Sequence, residues 1–365
     1  MPLARPGRLR QLLSSAIAEL HPGYFALVMA TGIVAIALRQ QGFRPLDRWM
    51  FAVNLVAYPG LWLLTLARLL RARERVRADL LNPLRAPGFL TTVAATSVLG
   101  RQFVLMTDDT RVAFVLWLLS AALWLVLLYA FFAAMMLREH QPHAEQGLHG
   151  GWLLSVVATQ SVALLGARVA ERVTDWRETM LFWMLVLYLL GCLLYLLIGG
   201  LLLFRLLFLR PDPAALFPLY WITMGAAAIT VLTGSTLIEG APEWPFLASL
   251  RPFLAGLTLL FWACASWWIP LLVILGAWRH LVKRYPLVYE PQFWGLVFPL
   301  GMYTVASFET AAVLDVPALL GVAHIFVLVA LAAWVAVFAG MAHRVAGTLW
   351  LAFAPRRDAL ATEEP

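Results

Sequence analysis

The chain has 365 residues, of which 62% are hydrophobic and only 13% charged, with a mean hydropathy of +0.82. That composition excludes a soluble globular protein and identifies an integral membrane protein. A net charge of +7 does not point to nucleic acid, because the basic residues gather on one side of the predicted membrane segments, where anionic lipid headgroups account for them.

In chain order, residues 1–20 form a short basic segment with Arg5, Arg8 and Arg10, lacking both the apolar stretch and the cleavage site of a signal peptide. Ten apolar spans long enough to cross a bilayer follow, near 23–38, 49–70, 88–106, 112–137, 151–170, 179–209, 218–238, 252–278, 292–313 and 318–342. Residues 343–365 remain as a tail ending "RRDALATEEP", predicted to be disordered. The membrane domain thus occupies 21–342, flanked by an N-terminal segment of 1–20 and the C-terminal tail. With the N-terminus inside, 18 of the 27 basic residues fall on the cytoplasmic side and nine on the other, so both termini are expected in the cytoplasm of a plasma (inner) membrane protein.

The spans alternate in character. Odd ones open with similar punctuation, "HPGYF" at 21, "APGFL" at 86, "HGGWL" at 149, "LFPLYW" at 216 and "EPQFWG" at 290, spaced by roughly 60 to 75 residues. They also hold most of the intramembrane hydroxyls, whereas even spans are largely Leu, Val, Ala, Phe and Trp. Lipid tolerates the second type, while hydroxyls want protein or water beside them. The fold class expected is an all-α polytopic membrane protein: five helical hairpins, with five inner helices around a pore and five outer ones. Parallel inner helices would bring five partially positive N-termini to one mouth, which favours anions. Close helix packing is the competing explanation for any single Ser or Thr.

The two cysteines, Cys192 and Cys264, lie inside apolar runs and offer no disulfide framework. His140, His143 and His149 cluster in "REHQPHAEQGLHG", where a solvated loop explains them better than a metal site. No metal, haem or other cofactor is expected. The absence of a nucleophile motif, a phosphate loop and a paired carboxylate site argues against an enzyme.

The combination "HPGYFALVMATGIVAIAL", "GGWLLSVVATQSVALLG" and "FWGLVFPLGMYTVAS" resembles the tellurite-resistance/C4-dicarboxylate transporter family, with its slow anion channel, malate permease and sulphite exporter relatives. The resemblance implies a homotrimer in which each protomer carries its own pore, plugged by a phenylalanine of the ninth helix. The matching residue is Phe298. Pro299 removes the bond to the carbonyl of Gly295, and with Gly295 and Gly301 it is expected to kink the ninth span and push Phe298 toward the axis. An ordinary core phenylalanine beside a membrane proline is the alternative.

For the pore lining, Thr31, Thr92, Thr96, Thr159, Thr230 and Thr304 are expected to face the axis. Arg39, Arg101 and Arg168 near the outer ends of the first, third and fifth spans would attract anions or else snorkel to headgroups, and Glu239 and Glu309 are near enough in sequence depth to pair with them. A weakly solvating hydroxyl lining favours monovalent species: chloride, nitrate, bisulphite or a monoanionic dicarboxylate. The reading is a gated anion channel or uniporter. Its alternative is a proton-coupled C4-dicarboxylate, sulphite or tellurite carrier that uses Glu309 and His324 as a relay.

Overall fold

The structure, a computed structural model, describes residues 14–139, 144–172, 175–209, 213, 216 and 218–353. The expectation for "RRDALATEEP", and those for His140 and His143, lie outside the described residues. Among the described residues, ten helices are long and apolar enough to cross a membrane: α1 (Pro22–Gln40), α2 (Leu46–Arg71), α3 (Ala86–Thr107), α4 (Thr110–Met136), α5 (Gly150–Ala170), α6 (Arg177–Phe208), α7 (Pro218–Gly240), α8 (Arg251–Val282), α9 (Pro291–Leu314) and α10 (Ala318–Trp350). The chain is an all-α, multi-pass membrane protein.

The punctuation of the odd spans has a structural meaning. Each odd helix opens with a turn of 3-10 helix before α geometry begins, at Pro22–Phe25, Ala86–Leu90, Gly150–Leu153, Pro218–Trp221 and Pro291–Phe293. Proline is favoured at such starts because its missing N–H would have no intrahelical acceptor there. The five opening turns touch one another in a closed cycle, and so do the bodies of α1, α3, α5, α7 and α9. The odd helices therefore run parallel in a ring.

Close approach at the opening turns depends on glycine. A Cβ on Gly150 would lie 2.3 Å from the Leu219 carbonyl oxygen, a backbone atom that cannot swing aside. Higher in the ring, a Cβ on Gly225 would meet the Pro299 ring at 2.7 Å, so α7 is thinned where the proline of α9 packs against it.

Burial separates the two sets. Between 72% and 94% of the core of each odd helix is buried, against 17% to 44% for each even helix. Every even helix presents large exposed apolar side chains, among them Leu63, Val126, Leu196, Ile274 and Ile325. Such a surface suits lipid and would be unstable in water.

Hydrogen bonds tie each inner helix to the even helix that precedes it around the ring. Trp334 Nε1 of α10 donates to Thr31 Oγ1 at 2.9 Å, and Tyr58 of α2 shares a proton with Thr96 at 2.8 Å. Trp124 Nε1 of α4 donates to Thr159 Oγ1 at 2.8 Å, the Tyr195 hydroxyl of α6 to the Thr223 carbonyl at 3.0 Å, and Trp262 Nε1 of α8 to Ser307 Oγ at 2.9 Å. An aromatic donor buried against lipid needs an acceptor, and the inner helices supply one five times over.

The tenth helix runs beyond residue 342. His343 and Arg344 end the apolar run, yet the helix continues through them, and Arg344 Nη1 finds the Tyr289 carbonyl at 2.7 Å.

Candidate functional site

Helical periodicity identifies which face of each inner helix points at the axis of the ring. At the end formed by the opening turns, a cavity of about 30 Å³ is lined by all five odd helices, including Gly23, Ala26 and Met29 of α1, Thr91 of α3, Leu154 of α5, Ile222 of α7, and Gly295 and Phe298 of α9. One turn further on lies a second cavity of about 10 Å³, lined by Ile33, Ile36, Ser97, Val98, Arg101, Ser161, Leu164, Leu165 and Met302. The sets interlock at steps of three and four residues, as one helix face requires. Phe298 borders the first cavity and Met302 the second, and one turn of helix raises the chain about 6 Å between them. Phe298 is 1% exposed. These volumes hold roughly two waters and one water respectively, at about 10–15 Å³ each.

The helix of Phe298 is continuous from Trp294 to Leu314 with Pro299 inside it. Gly301 faces α1, where a Cβ would lie 2.8 Å from Ile33. Gly295 and Gly301 therefore serve close packing on either side of the Phe298–Pro299 step.

Two histidines stand at the first cavity. His149 Nδ1 accepts from the Gly151 amide at 3.1 Å, so its Nε2 carries the proton and donates to the Pro83 carbonyl at 3.0 Å. His21 Nδ1 accepts from the Gly23 amide at 3.0 Å. Each ring caps the opening turn of its helix as an Asp or Ser would. Burial pushes both down to about 4, with Arg85 adding to the effect at His21, so both are neutral near pH 7. His149, expected in a solvated loop, is instead buried at a helix start, because the chain turns into the ring one residue later.

At the opposite end of the same faces lies a charge cluster. Glu309 Oε1 accepts from Gln40 Nε2 at 2.7 Å and is ion-paired with Arg101, while Oε2 accepts from Arg168 Nη2 at 3.2 Å. Arg168 also meets Glu239 at 2.7 Å and Glu171 at 3.2 Å. Beyond it a broad depression of about 630 Å³ opens, bordered by Arg168, Glu171, Glu239, Arg251 and Glu309.

The structure thus brings Arg101 and Arg168 together and leaves Arg39 out: Arg39 pairs with Asp47 of α2 at 3.3 Å. It separates Glu309 from His324, which lies on the exposed face of α10. Of the threonines expected on the axis, Thr31, Thr96 and Thr159 accept the aromatic donors of the outer layer, and Thr230 accepts from Gln160 Nε2 at 3.2 Å. Thr92 and Thr304 bond back to the carbonyls of Phe89 and Leu300, and none of the six lines either cavity. The hydroxyls on the cavities are those of Thr91, Ser97 and Ser161. Their signal was a spacing: Ser97 stands one turn before Arg101, and Ser161 two turns before Arg168.

Residues 19–342 match the model of a family described as voltage-dependent anion channel, SLAC1. An "uncharacterized membrane protein" of Mycobacterium tuberculosis is 40% identical over 156 residues, 43% of this chain and 79% of that one. An "uncharacterized transporter" of Methanocaldococcus jannaschii is 23% identical over 301 residues, 81% of this chain and 86% of the other. A sulfite efflux pump of Trichophyton rubrum is 23% identical over 342 residues, 89% and 90% of the two chains.

Proposed function

The chain belongs to the SLAC1 family of voltage-dependent anion channels, and we propose that it is a gated, passive conduit for small monovalent anions, with the ring of odd helices as its pore and Phe298 as its gate. The observation that supports this reading is the position of Phe298, fully buried on the first cavity and one helical turn before Met302 of the second, on faces that α1, α3, α5 and α9 present to both. An apolar ring there excludes water, and an ion cannot pass an unwetted constriction until the ring swings aside.

Selectivity follows from charge. The first cavity offers hydroxyl and backbone groups, neutral histidines and the N-terminal ends of five helices, and none of its lining residues is a lysine or arginine. At the far end the least exposed guanidinium, that of Arg101, is answered by Glu309, while Arg168 is answered by Glu239 and Glu171 as well as Glu309. Desolvating a dianion costs far more than desolvating a monoanion. Chloride, nitrate, bisulphite and singly ionised dicarboxylates are the class favoured, and bisulphite is consistent with the name of the fungal relative.

Proton coupling through Glu309 and His324 has less support, since His324 sits on the exposed face of α10, away from the ring. The basic asymmetry of the sequence supports a plasma membrane protein with both termini in the cytoplasm, which makes the 3-10 end the cytoplasmic mouth. The family resemblance supports a homotrimer with one pore per protomer.

The test is anion current through purified protein in a planar bilayer, parent against Phe298→Ala, in chloride, nitrate and malate. Currents that reverse at the anion equilibrium potential and need no proton gradient support the channel. Flux that appears only with a proton gradient overturns it.

A further inference from the structure

Arg101 is 3% exposed, and only its Nη2 is engaged, by Glu309; its Nε and Nη1 are buried with no hydrogen-bond partner. In the same small cavity the hydroxyls of Ser97 and Ser161, 3% and 1% exposed, are also buried without a partner. This is unusual within their own helices. Thr91, Thr92 and Thr96 of α3, and Ser155 and Thr159 of α5, all bond back to carbonyls of the preceding turn. Ser97 and Ser161 have the same option and do not use it.

Buried polar groups are almost always satisfied, and a guanidinium with unmade bonds is among the costliest exceptions. Here the unmade donors come from two helices and border one cavity on the far side of Phe298. A single guanidinium with two hydroxyls, walled by Ile33, Val98, Leu165 and Met302, is the donor set of a site for one small anion. Its charge suits a monoanion, because Glu309 already neutralises part of it.

We propose that Arg101, Ser97 and Ser161 form a binding station for one small monovalent anion behind Phe298, and that Glu309 is its resident competitor, a tethered carboxylate that the incoming anion displaces from Arg101. The proposal rests on the reading of the ring as an anion pathway. Displacement is inexpensive because Glu309 does not lose its other partners: Arg168 holds its second oxygen, Oε2, and Gln40 donates to the Oε1 that Arg101 gives up. The carboxylate therefore moves between guanidiniums while the anion takes its place on Arg101.

Thermal unfolding of the full chain in detergent tests this, with sodium chloride or sodium nitrate titrated against a bulky organic anion at constant ionic strength. A station gives a Tm that is flat at anion concentrations below the dissociation constant and rises logarithmically above it in the parent, so the onset reads that constant. Ser97→Ala/Ser161→Ala keeps the ion pair, and should raise the dissociation constant about threefold or more, the worth of lost hydrogen bonds to an anion. Arg101→Gln should raise it about tenfold or more. Glu309→Gln removes the competitor and should lower it about tenfold. The opposite sign of the last two is the decisive reading, since a purely structural ion pair gives both variants the same sign. No anion-dependent rise in the parent beyond that in the bulky anion, or a dissociation constant raised less than about threefold in the serine double variant, overturns the station; that variant decides the matter if Arg101→Gln does not fold. Bilayer currents on the same preparations separate the two ideas. Currents with unaltered binding retain the channel and remove the station, whereas altered binding without current does the reverse.

Discussion

Arg101 of α3 and Glu309 of α9, 208 residues apart in sequence, are ion-paired where the axial faces of their helices end. Glu309 is 12% exposed and takes donors from three helices, since Gln40 and Arg168 bind it as well. It therefore fastens one end of the ring. Removing one partner of a buried pair leaves a charge without compensation, so Glu309→Ala should cost about 3 kcal/mol of stability, the lower end for such losses because Arg168 and Glu309 retain some solvent contact. Unfolding in detergent at low chloride measures it. A cost under about 1 kcal/mol, the range of exposed pairs, would show that the cluster is loose.

Phe298 lines the first cavity and stands one turn before Met302, which lines the second, so its ring is the first element to remove. Phe298→Ala should raise anion conductance about tenfold or more, since a barrier lowered by only about 1.4 kcal/mol already does that. The same substitution should destabilise the fold by about 3 kcal/mol or more through the cavity it leaves. Gain of current together with loss of stability is the signature of a gate packed as core. Loss of stability with unchanged current would make Phe298 packing alone.

The histidine caps give a pH dependence with a definite sign. His149 is held near 4 in the folded protein by burial, against about 6.5 when unfolded. Between those values the unfolded chain binds more protons, so stability rises with pH. The contribution is complete above about 6.5 and is lost as pH falls toward 4, up to about 3 kcal/mol for this one group. Tm measured from pH 8 to pH 4 should fall in that window. In His149→Asn, which keeps a capping acceptor without the titration, the fall should be shallower. An identical slope in parent and variant would assign the dependence to other groups, with His21 next.

Much of this molecule was legible in its sequence, and what was not has a single cause. The ten spans, the alternation of their character and the meaning of "HPGYF" and its four counterparts all depend on composition and on turn-forming residues, which are local. The rotation of the inner helices is not local. Their cores are 72% to 94% buried, so apolar residues surround them and no face is marked by polarity. A threonine there is equally at home facing the axis or an outer tryptophan, and Thr31 and Thr159 face tryptophans. Arg101 and Arg168 are different, because a charge at the end of a span is pulled toward any opposite charge at the same depth, and Glu309 and Glu239 were visible at that depth.

The ties between inner and outer layers yield the last expectation. If Thr31 is an acceptor for Trp334, each of Thr31→Val and Trp334→Phe should destabilise by about 1 kcal/mol, the worth of a buried hydrogen bond. The double variant should cost less than the sum, with a coupling near 1 kcal/mol, because the second change removes a group already without its partner. Thr159 and Trp124 should repeat the result at the next-but-one position of the ring. Ser97 and Ser161 have no such partner to orphan, so replacing them with alanine should change stability by no more than about 0.5 kcal/mol in the absence of small anions. Additive costs at Thr31 and Trp334 would mean that the hydroxyl is free to serve the pore after all. Coupled costs there, beside near-neutral alanines at the serines, would divide the inner hydroxyls into those that hold the layers together and those left open to an ion.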